Sequence, residues 1–254
     1  MCYYLEMKGS EGLTTDSISF YGKIVKVLQK RDGYRFAIDA LLLADFVKAK
    51  AEDNIIDLGT GTGIIALLLA SRFPSAKVTG IELQKSLFLL AQRNVKLNRF
   101  DARAFIERLP IADTPMRFKR ENFDCIVSNP PYRRLMSGRI NPEEEKAIAR
   151  HELKTSLEEI IRAGEYLLNK RGRLYLIYLP ERLTELIYHL KRYMLEPKRI
   201  RPVYSREGED AVFILIEAVK AGREGMKIER PLYIYDKSGD YTEDVKKIYG
   251  RETD

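Results

Sequence analysis

The chain has 254 residues, of which 45% are hydrophobic and 32% are charged, as is typical of a globular protein with a sizeable core. This composition excludes a disordered, collagen-like or fibrous chain. The 44 Lys and Arg residues exceed the 37 Asp and Glu residues, and the net charge of +7 is compatible with a nucleic-acid partner without establishing one.

The sequence contains no recognisable membrane or targeting segment. No run reaches the roughly 18 consecutive apolar residues that a membrane-spanning helix needs. The N-terminus lacks the basic start and the long apolar run of a signal peptide. Cys2 lies at a terminus and Cys125 in a strand-like run, so a disulfide framework is implausible. We therefore expect a reduced, cytoplasmic protein, whose oligomeric state stays open between a monomer and a homodimer.

The first 50 residues are predicted to form an extension that packs on the remainder of the chain. Apolar residues alternate on both sides of Gly22 between Ile18 and Val27, which is typical of a β-hairpin. Residues 37–50 have the composition of a helix. The catalytic domain is predicted to follow over residues 51–254.

From Asn54 onwards, strand and helix patterns alternate along the chain. The predicted strands are 54–57, 77–82, 103–106, 123–128, 172–179, 198–204 and 211–219. The predicted helices are 62–72, 84–98, 157–168 and 183–194. This alternation predicts a Rossmann-like α/β fold with a mostly parallel, seven-stranded sheet and helices on both faces. Residues 133–152 interrupt the alternation as a lid-like insertion, and 227–249 are predicted to form a strand and a short helix.

A glycine-rich turn follows the first strand of this series, with Asp57 two residues before a G-x-G-x-G pattern. Its glycines permit a tight turn, and the following helix supplies free N–H groups. A carboxylate at Asp57 would repel a pyrophosphate but would suit a cationic amino group, such as that of a methionine moiety. At the end of the second strand, Glu82 could accept hydrogen bonds from both hydroxyls of an adenosine ribose.

Together these residues resemble motif I and the acidic residue of the S-adenosylmethionine-dependent methyltransferases with a Rossmann-like fold. The resemblance implies S-adenosylmethionine as the cofactor and assigns its binding to Asp57, Gly59, Thr60, Gly61, Gly63, Glu82 and Leu83. It also implies an acidic residue after the third strand, near the adenine amino group. Glu107 occupies that position if the strand covers 103–106, and Asp113 does so if the strand ends later; we favour Glu107.

The most informative stretch is a buried strand that ends at Asn129-Pro130-Pro131-Tyr132. The two prolines stiffen the chain and leave carbonyl groups exposed as acceptors. The Asn129 side-chain oxygen and the Pro130 carbonyl can then accept both hydrogens of one NH₂ group, and Tyr132 can stack on a planar base. Holding the amine in this way predicts catalysis by positioning and electrostatics. The tetrad resembles that of amino-methyltransferases acting on adenine N6, guanine N2 or a protein glutamine amide.

Three flanking segments, 33–44, 138–152 and 231–243, narrow this resemblance. In this order they resemble the family of bacterial tRNA1(Val) adenine-37 N6-methyltransferases, over about residues 19–243. The resemblance implies a tRNA substrate and no metal, and it places Phe36 and Asp39 near the cofactor, as it does Asn129. The alternatives are another acceptor (guanine N2 in rRNA, adenine N6 in rRNA or DNA, a protein glutamine) and a non-catalytic protein that binds RNA or a partner.

Candidate substrate contacts follow the Asn-Pro-Pro-Tyr tetrad. Arg133, Arg134 and Arg139 bring positive charge that suits phosphate groups, and His151 stands at the foot of the lid-like insertion. A second basic cluster occurs over residues 191–201, where a solvated face is the more usual interpretation.

Overall fold

The computed structural model describes residues 7–8, 12–30, 38–130 and 156–250. The predicted lid-like insertion at 133–152 therefore lies outside the described residues. None of the helices in the described ranges is long and apolar enough to cross a membrane.

A small antiparallel sheet lies at the N-terminus, with β1 (Met7–Lys8), β2 (Leu13–Phe20) and β3 (Lys23–Lys30) in that order. Strands β2 and β3 form the predicted hairpin around Gly22, whose φ of 73° suits a glycine in the tight turn. The predicted helix follows as α1 (Ile38–Phe46), which is shorter at its C-terminal end than the sequence pattern indicated.

The remaining elements alternate as predicted, except that the structure adds a short helix, Thr114–Arg117, between the third and fourth strands of this series. The strands are β4 (Asn54–Leu58), β5 (Lys77–Ile81), β6 (Ala104–Glu107), β7 (Phe123–Ser128), β8 (Leu168–Tyr178), β9 (Leu195–Tyr204), β10 (Ala211–Lys220), β11 (Lys227–Ile228) and β12 (Leu232–Tyr233). The helices are α2 (Ile64–Arg72), α3 (Lys85–Leu97), α4 (Thr114–Arg117), α5 (Leu157–Leu167), α6 (Leu183–Arg192) and α7 (Glu243–Ile248).

Seven strands form the main sheet in the order β6-β5-β4-β7-β8-β10-β9, and all are parallel except β10, which is antiparallel to both neighbours. This confirms the predicted mostly parallel, seven-stranded α/β sheet. The central strands are apolar on both sides because helices cover both faces, and two buried clusters of side chains lie one on each face.

The end of the chain differs from its prediction. The single strand expected within 227–236 is divided into β11 and β12, which both pair in parallel with β9 and extend the sheet to nine strands. Pro231 lies between them and has no backbone N–H to donate, so a continuous ladder along this edge is interrupted there.

Candidate active site

Four polar residues lie at one edge of the main sheet. Strands β4, β5, β6 and β7 are parallel neighbours, so their carboxyl ends meet at the same edge. Asp57 lies near the end of β4, Glu82 directly follows β5, Glu107 ends β6, and Asn129 directly follows β7. Ligands of open α/β sheets bind at such an edge, where loops leave the strands.

The glycine-rich turn folds over the end of β5. The backbone N–H groups of Gly59 and Thr60 both donate to the carbonyl oxygen of Ile81, at 3.0 and 2.9 Å. Gly59, Gly61 and Gly63 have φ angles of 80°, 60° and 85°, a left-handed conformation that favours glycine. At Gly63 a Cβ atom would also lie 3.2 Å from the Cβ of Ala91. The turn therefore depends on the glycine positions of the sequence motif.

Asp57 is fully buried beneath this turn. Its Oδ2 accepts a hydrogen bond from the Thr60 hydroxyl at 2.6 Å, whereas its Oδ1 is buried without a hydrogen-bond partner among the described residues. Burial raises the pKa of Asp57 to about 7; the Thr60 hydrogen bond lowers it, and the charge of Glu82 raises it further. A carboxylate with one unused oxygen at a sheet edge suits a cationic group.

Glu82 is also buried, and both of its carboxylate oxygens point at backbone N–H groups of the surrounding loops. Oε2 accepts from Gly61 at 3.0 Å, and Oε1 accepts from Gln84 at 2.7 Å. These bonds join the glycine-rich turn to the start of α3 and orient the carboxylate. Because each carboxylate oxygen has two lone pairs, Glu82 retains acceptor capacity for a ligand diol.

The two alternatives for the third acidic residue line one cleft. Glu107 and Asp113 border a cavity of about 310 Å³, together with Arg108, Leu109, Met116 and Arg117. Strand β6 ends at Glu107, and the Glu107 carboxylate forms a two-point ion pair with Arg117 of α4, with Nε–Oε2 2.7 Å and Nη2–Oε1 2.5 Å. Because β6 ends at Glu107, Glu107 rather than Asp113 directly follows the strand pattern. Its carboxylate is already paired with Arg117.

The tetrad asparagine contacts the N-terminal helix. Asn129 Nδ2 donates to Oδ2 of Asp39 at 3.1 Å, and Asp39, in the first turn of α1, is only 3% exposed. The other Asp39 oxygen accepts from the N–H of Ala40 at 2.8 Å. An ionised carboxylate can only accept hydrogen bonds, so the amide nitrogen of Asn129 must face Asp39. Its oxygen is consequently directed elsewhere. The sequence grouped Asp39 with the cofactor and did not anticipate this contact.

A second contact that the sequence did not anticipate involves Asn94, which is fully buried in α3. Asn94 Nδ2 donates to the carbonyl oxygen of Thr62 in the glycine-rich turn at 2.9 Å, and also to that of Leu28 in β3 at 3.0 Å. In the sequence, the only indication of this contact is that Asn94 is a polar residue on the apolar side of the predicted helix, with Leu90 and Val95. Asn94 therefore holds the glycine-rich turn against β3 by hydrogen bonds to both.

Leu83 lies in the loop between β5 and α3, where its carbonyl oxygen accepts a hydrogen bond from Arg108 Nε at 3.2 Å. The remaining predicted site residues lie outside the described residues: Phe36, Pro131, Tyr132, Arg133, Arg134, Arg139 and His151. Pro130 is described and is buried directly after Asn129. Within the described ranges, no group of three or more His, Cys, Asp or Glu side chains could hold a metal ion.

The family model and the similar proteins of known name agree that the chain resembles methyltransferases. The family model of the methyltransferase small domain matches residues 35–187. A tRNA1(Val) (adenine(37)-N6)-methyltransferase of Porphyromonas gingivalis is 35% identical over 197 residues, which are 75% of this chain and 76% of the relative. A protein of the same name from Pedobacter heparinus is 30% identical over 231 residues, covering 91% and 95% of the two chains.

Solved structures agree on the fold. A predicted O-methyltransferase, Atu636 of Agrobacterium tumefaciens, superimposes with a TM-score of 0.69 at 26% identity, covering 85% of this chain and 98% of that one. Geranyl diphosphate C-methyltransferase from Streptomyces coelicolor A3(2), solved with S-adenosyl-L-homocysteine, gives a TM-score of 0.53 at 16% identity over 71% and 78% of the chains. The second likeness concerns the fold alone.

Proposed function

We propose that this chain, which belongs to the tRNA1(Val) (adenine(37)-N6)-methyltransferase family and contains its methyltransferase small domain, methylates N6 of an adenine in tRNA, using S-adenosylmethionine. The substrate position proposed is adenine 37 in the anticodon loop of a valine tRNA, as in the names of its relatives. The observation that carries the proposal is the hydrogen bond from Asn129 to Asp39, because it leaves the Asn129 side-chain oxygen to act as an acceptor at the sheet edge where Asp57 and Glu82 also lie.

The residues at the sheet edge fit the cofactor. The unpartnered Oδ1 of Asp57 is a suitable acceptor for the α-ammonium group, and Glu82 is a suitable acceptor for the ribose hydroxyls. Glu107 lies in the cleft after β6, where its carboxylate would accept a hydrogen bond from the adenine amino group. It would do so while it keeps its ion pair with Arg117 or after that ion pair opens. When bound, S-adenosylmethionine supplies an electrophilic methyl group.

Asn129 and Pro130 are assigned to the substrate amine. The exocyclic nitrogen of adenine is a weak nucleophile because its lone pair is conjugated with the ring. Two fixed acceptors, the Asn129 side-chain oxygen and the Pro130 carbonyl, would hold its two N–H bonds and orient the lone pair away from them. This role needs no strong base, since the nitrogen becomes acidic on methylation and then loses a proton to solvent.

Tyr132 is proposed to stack on the adenine, which must leave the base stack of the anticodon loop to enter the site. Arg133, Arg134, Arg139 and His151 are proposed to contact the RNA backbone around it. These roles rest on the sequence alone.

The direct test is methyl transfer from labelled S-adenosylmethionine to unmodified tRNA, followed by nucleoside analysis of the product. We expect N6-methyladenosine, and the label should map to position 37 of a valine tRNA. Label in rRNA or protein but not in tRNA would favour the alternative acceptors. Cofactor binding without transfer to any acceptor would favour a non-catalytic protein.

Replacing Asp39 by alanine is expected to lower kcat by about tenfold to a hundredfold, since hydrogen bonds to charged groups contribute about 1.5–3 kcal/mol. Without the carboxylate, the Asn129 amide can rotate and present its nitrogen to the substrate. The readout is single-turnover methyl transfer at saturating cofactor and tRNA, and the affinity for S-adenosylmethionine should change little.

The matched control is Asp45→Asn, which replaces an aspartate in the same helix whose side chain instead contacts Tyr21. This variant should retain the wild-type kcat. If Asp39→Ala instead weakens cofactor binding at an unchanged kcat, Asp39 contacts the cofactor, and the orienting role assigned to it is wrong.

A further inference from the structure

The basic cluster of residues 191–201 is neutralised in the folded protein by neighbouring acidic residues. Its cations are held by ion pairs: Lys191–Glu196 at 2.6 Å, Arg192–Glu158 at 3.1 Å, Arg199–Glu217 at 2.9 Å and Arg201–Asp244 at 2.9 Å. Lys198 donates to backbone carbonyl groups of residues 223–225. This region therefore offers little unbalanced positive charge to a polyanion.

In the N-terminal hairpin, by contrast, exposed lysines are separated from the carboxylate. The outward side of β3 exposes Lys26 and Lys30, and the facing positions of β2 include Thr15 and Ser17. The carboxylate of Asp16 lies on the inward side, where it is buried and hydrogen-bonded by Gln29. The outward side of the hairpin thus carries ammonium and hydroxyl groups beside the apolar Leu13, Ile24 and Leu28, and the carboxylate of Asp16 lies inside.

Asn94 of α3 and Asn98, which directly follows α3, attach this hairpin to the catalytic fold. Lys26 N–H donates to Asn98 Oδ1 at 2.8 Å, and Asn98 Nδ2 donates back to the Lys26 carbonyl at 2.7 Å. Leu28 and Asn94 form the same reciprocal pair, at 2.6 and 3.0 Å. Because Asn94 and Asn98 are one helical turn apart, they satisfy the edge of β3 as a neighbouring strand would.

The two outward lysines of the hairpin have no acidic partner. No carboxylate pairs with Lys26 or Lys30 among the residues that the structure describes. Because Asn94 and Asn98 hold this part of the hairpin at the C-terminal part of α3, we call Lys26 and Lys30, with Thr15 and Ser17, the hairpin–α3 face.

The face begins beside the candidate active site. Asn94, which holds Leu28 two residues before Lys30, also donates to the Thr62 carbonyl of the glycine-rich turn at 2.9 Å. Lys30 ends the strand from which the chain continues to α1, and Asp39 of α1 contacts Asn129. Asn94 thus joins this part of the hairpin to the glycine-rich turn of the candidate active site.

We propose that the hairpin–α3 face binds backbone phosphates of the tRNA substrate, an inference that rests on the proposed function. Ammonium and hydroxyl groups that lack neighbouring carboxylates are the side chains that contact nucleic-acid phosphates, and such contacts provide affinity without sequence preference. The face positions the tRNA, while the selection of one base is left to the pocket around Asn129.

The test uses the full chain with Lys26→Gln and Lys30→Gln combined. The expected result is a KM for tRNA raised by about tenfold or more, with kcat at saturating tRNA and the affinity for S-adenosylmethionine unchanged. In equilibrium binding, the slope of log K against log salt should become shallower by about 0.7–0.9 for each phosphate contact removed. Circular dichroism and Tm establish that the variant folds.

The matched control replaces two other exposed lysines that lie away from the face, Lys170→Gln and Lys227→Gln. It has the same change in net charge and should retain at least most of the tRNA affinity. Equal losses in both variants would show a general charge effect and overturn the proposal, as would an unchanged KM in the hairpin variant. A change in oligomeric state with unchanged tRNA binding would instead assign the face to contact between copies of the chain.

The same experiment separates this proposal from the proposed function. If the wild-type protein transfers no methyl group to tRNA, the proposed function fails. If the wild type methylates tRNA and the hairpin variant does so with the same KM, only the assignment of the face fails.

Discussion

Replacing Asn129 by alanine is expected to reduce kcat by about 10²- to 10³-fold, the usual cost of removing one preorganised polar contact to a reacting group. The Asp39 hydrogen bond fixes which end of the Asn129 amide is available, and alanine removes the acceptor altogether. The effect should appear in the single-turnover rate at saturating substrates, with the dissociation constant of S-adenosylmethionine nearly unchanged.

Asn122→Ala is the corresponding control, because Asn122 is exposed at the opposite end of β7. It should not change the rate. An Asn129→Ala enzyme with the wild-type rate would contradict the catalytic assignment, and a rate restored only by high cofactor concentration would indicate that Asn129 mainly contacts the cofactor.

The substitution Asp57→Asn should weaken cofactor binding while it stabilises the cofactor-free protein. We expect a rise of about 10- to 100-fold in the dissociation constant of S-adenosylmethionine, since a charged acceptor for its ammonium group is lost. The cofactor-free protein should nevertheless become more stable above pH 7. Titration calorimetry measures the first effect, and thermal unfolding at pH 8 without cofactor measures the second.

The stability gain follows from the sign of the pKa shift. The pKa of Asp57 is raised from 3.8 to about 7 by burial, so between these pH values the folded state binds more protons than the unfolded state. The unfolding free energy therefore falls as pH rises through this window, and at about 1.4 kcal/mol per pKa unit the buried charge costs up to about 4 kcal/mol above pH 7. An asparagine can still accept from Thr60 and carries no charge.

The same titration predicts how cofactor affinity depends on pH. Because the ammonium group of the cofactor favours the ionised carboxylate, the affinity should fall by up to about tenfold for each pH unit below 7. Asp57→Asn should lose this dependence. Asp124→Asn, a change on the neighbouring strand β7 away from the sheet edge, should keep both the affinity and its pH dependence. A pH-independent wild-type affinity would contradict the role of Asp57.

The sequence alone determined the main sheet and grouped most of the residues that are proposed to bind the cofactor. Strand and helix patterns are local, and the parallel arrangement that they imply places every strand-end motif at one edge. For this reason the sequence alone groups Asp57, the glycine-rich turn, Glu82 and Asn129. It does not fix the strand boundary that separates Glu107 from Asp113, because the ends of helices and strands are the weakest part of a local pattern.

Only the tertiary structure decided which distant side chains meet. Asp39 and Asn129 are 90 residues apart in sequence and share a hydrogen bond, Arg117 pairs with Glu107, and Asn94 and Asn98 hold the edge of β3. The basic cluster at 191–201 proved neutralised, whereas Lys26 and Lys30 lie on the same outward side of β3. Hydrogen bonds and ion pairs act over a few ångströms, so they depend on how elements pack, and that packing is set by the whole chain rather than by any local pattern.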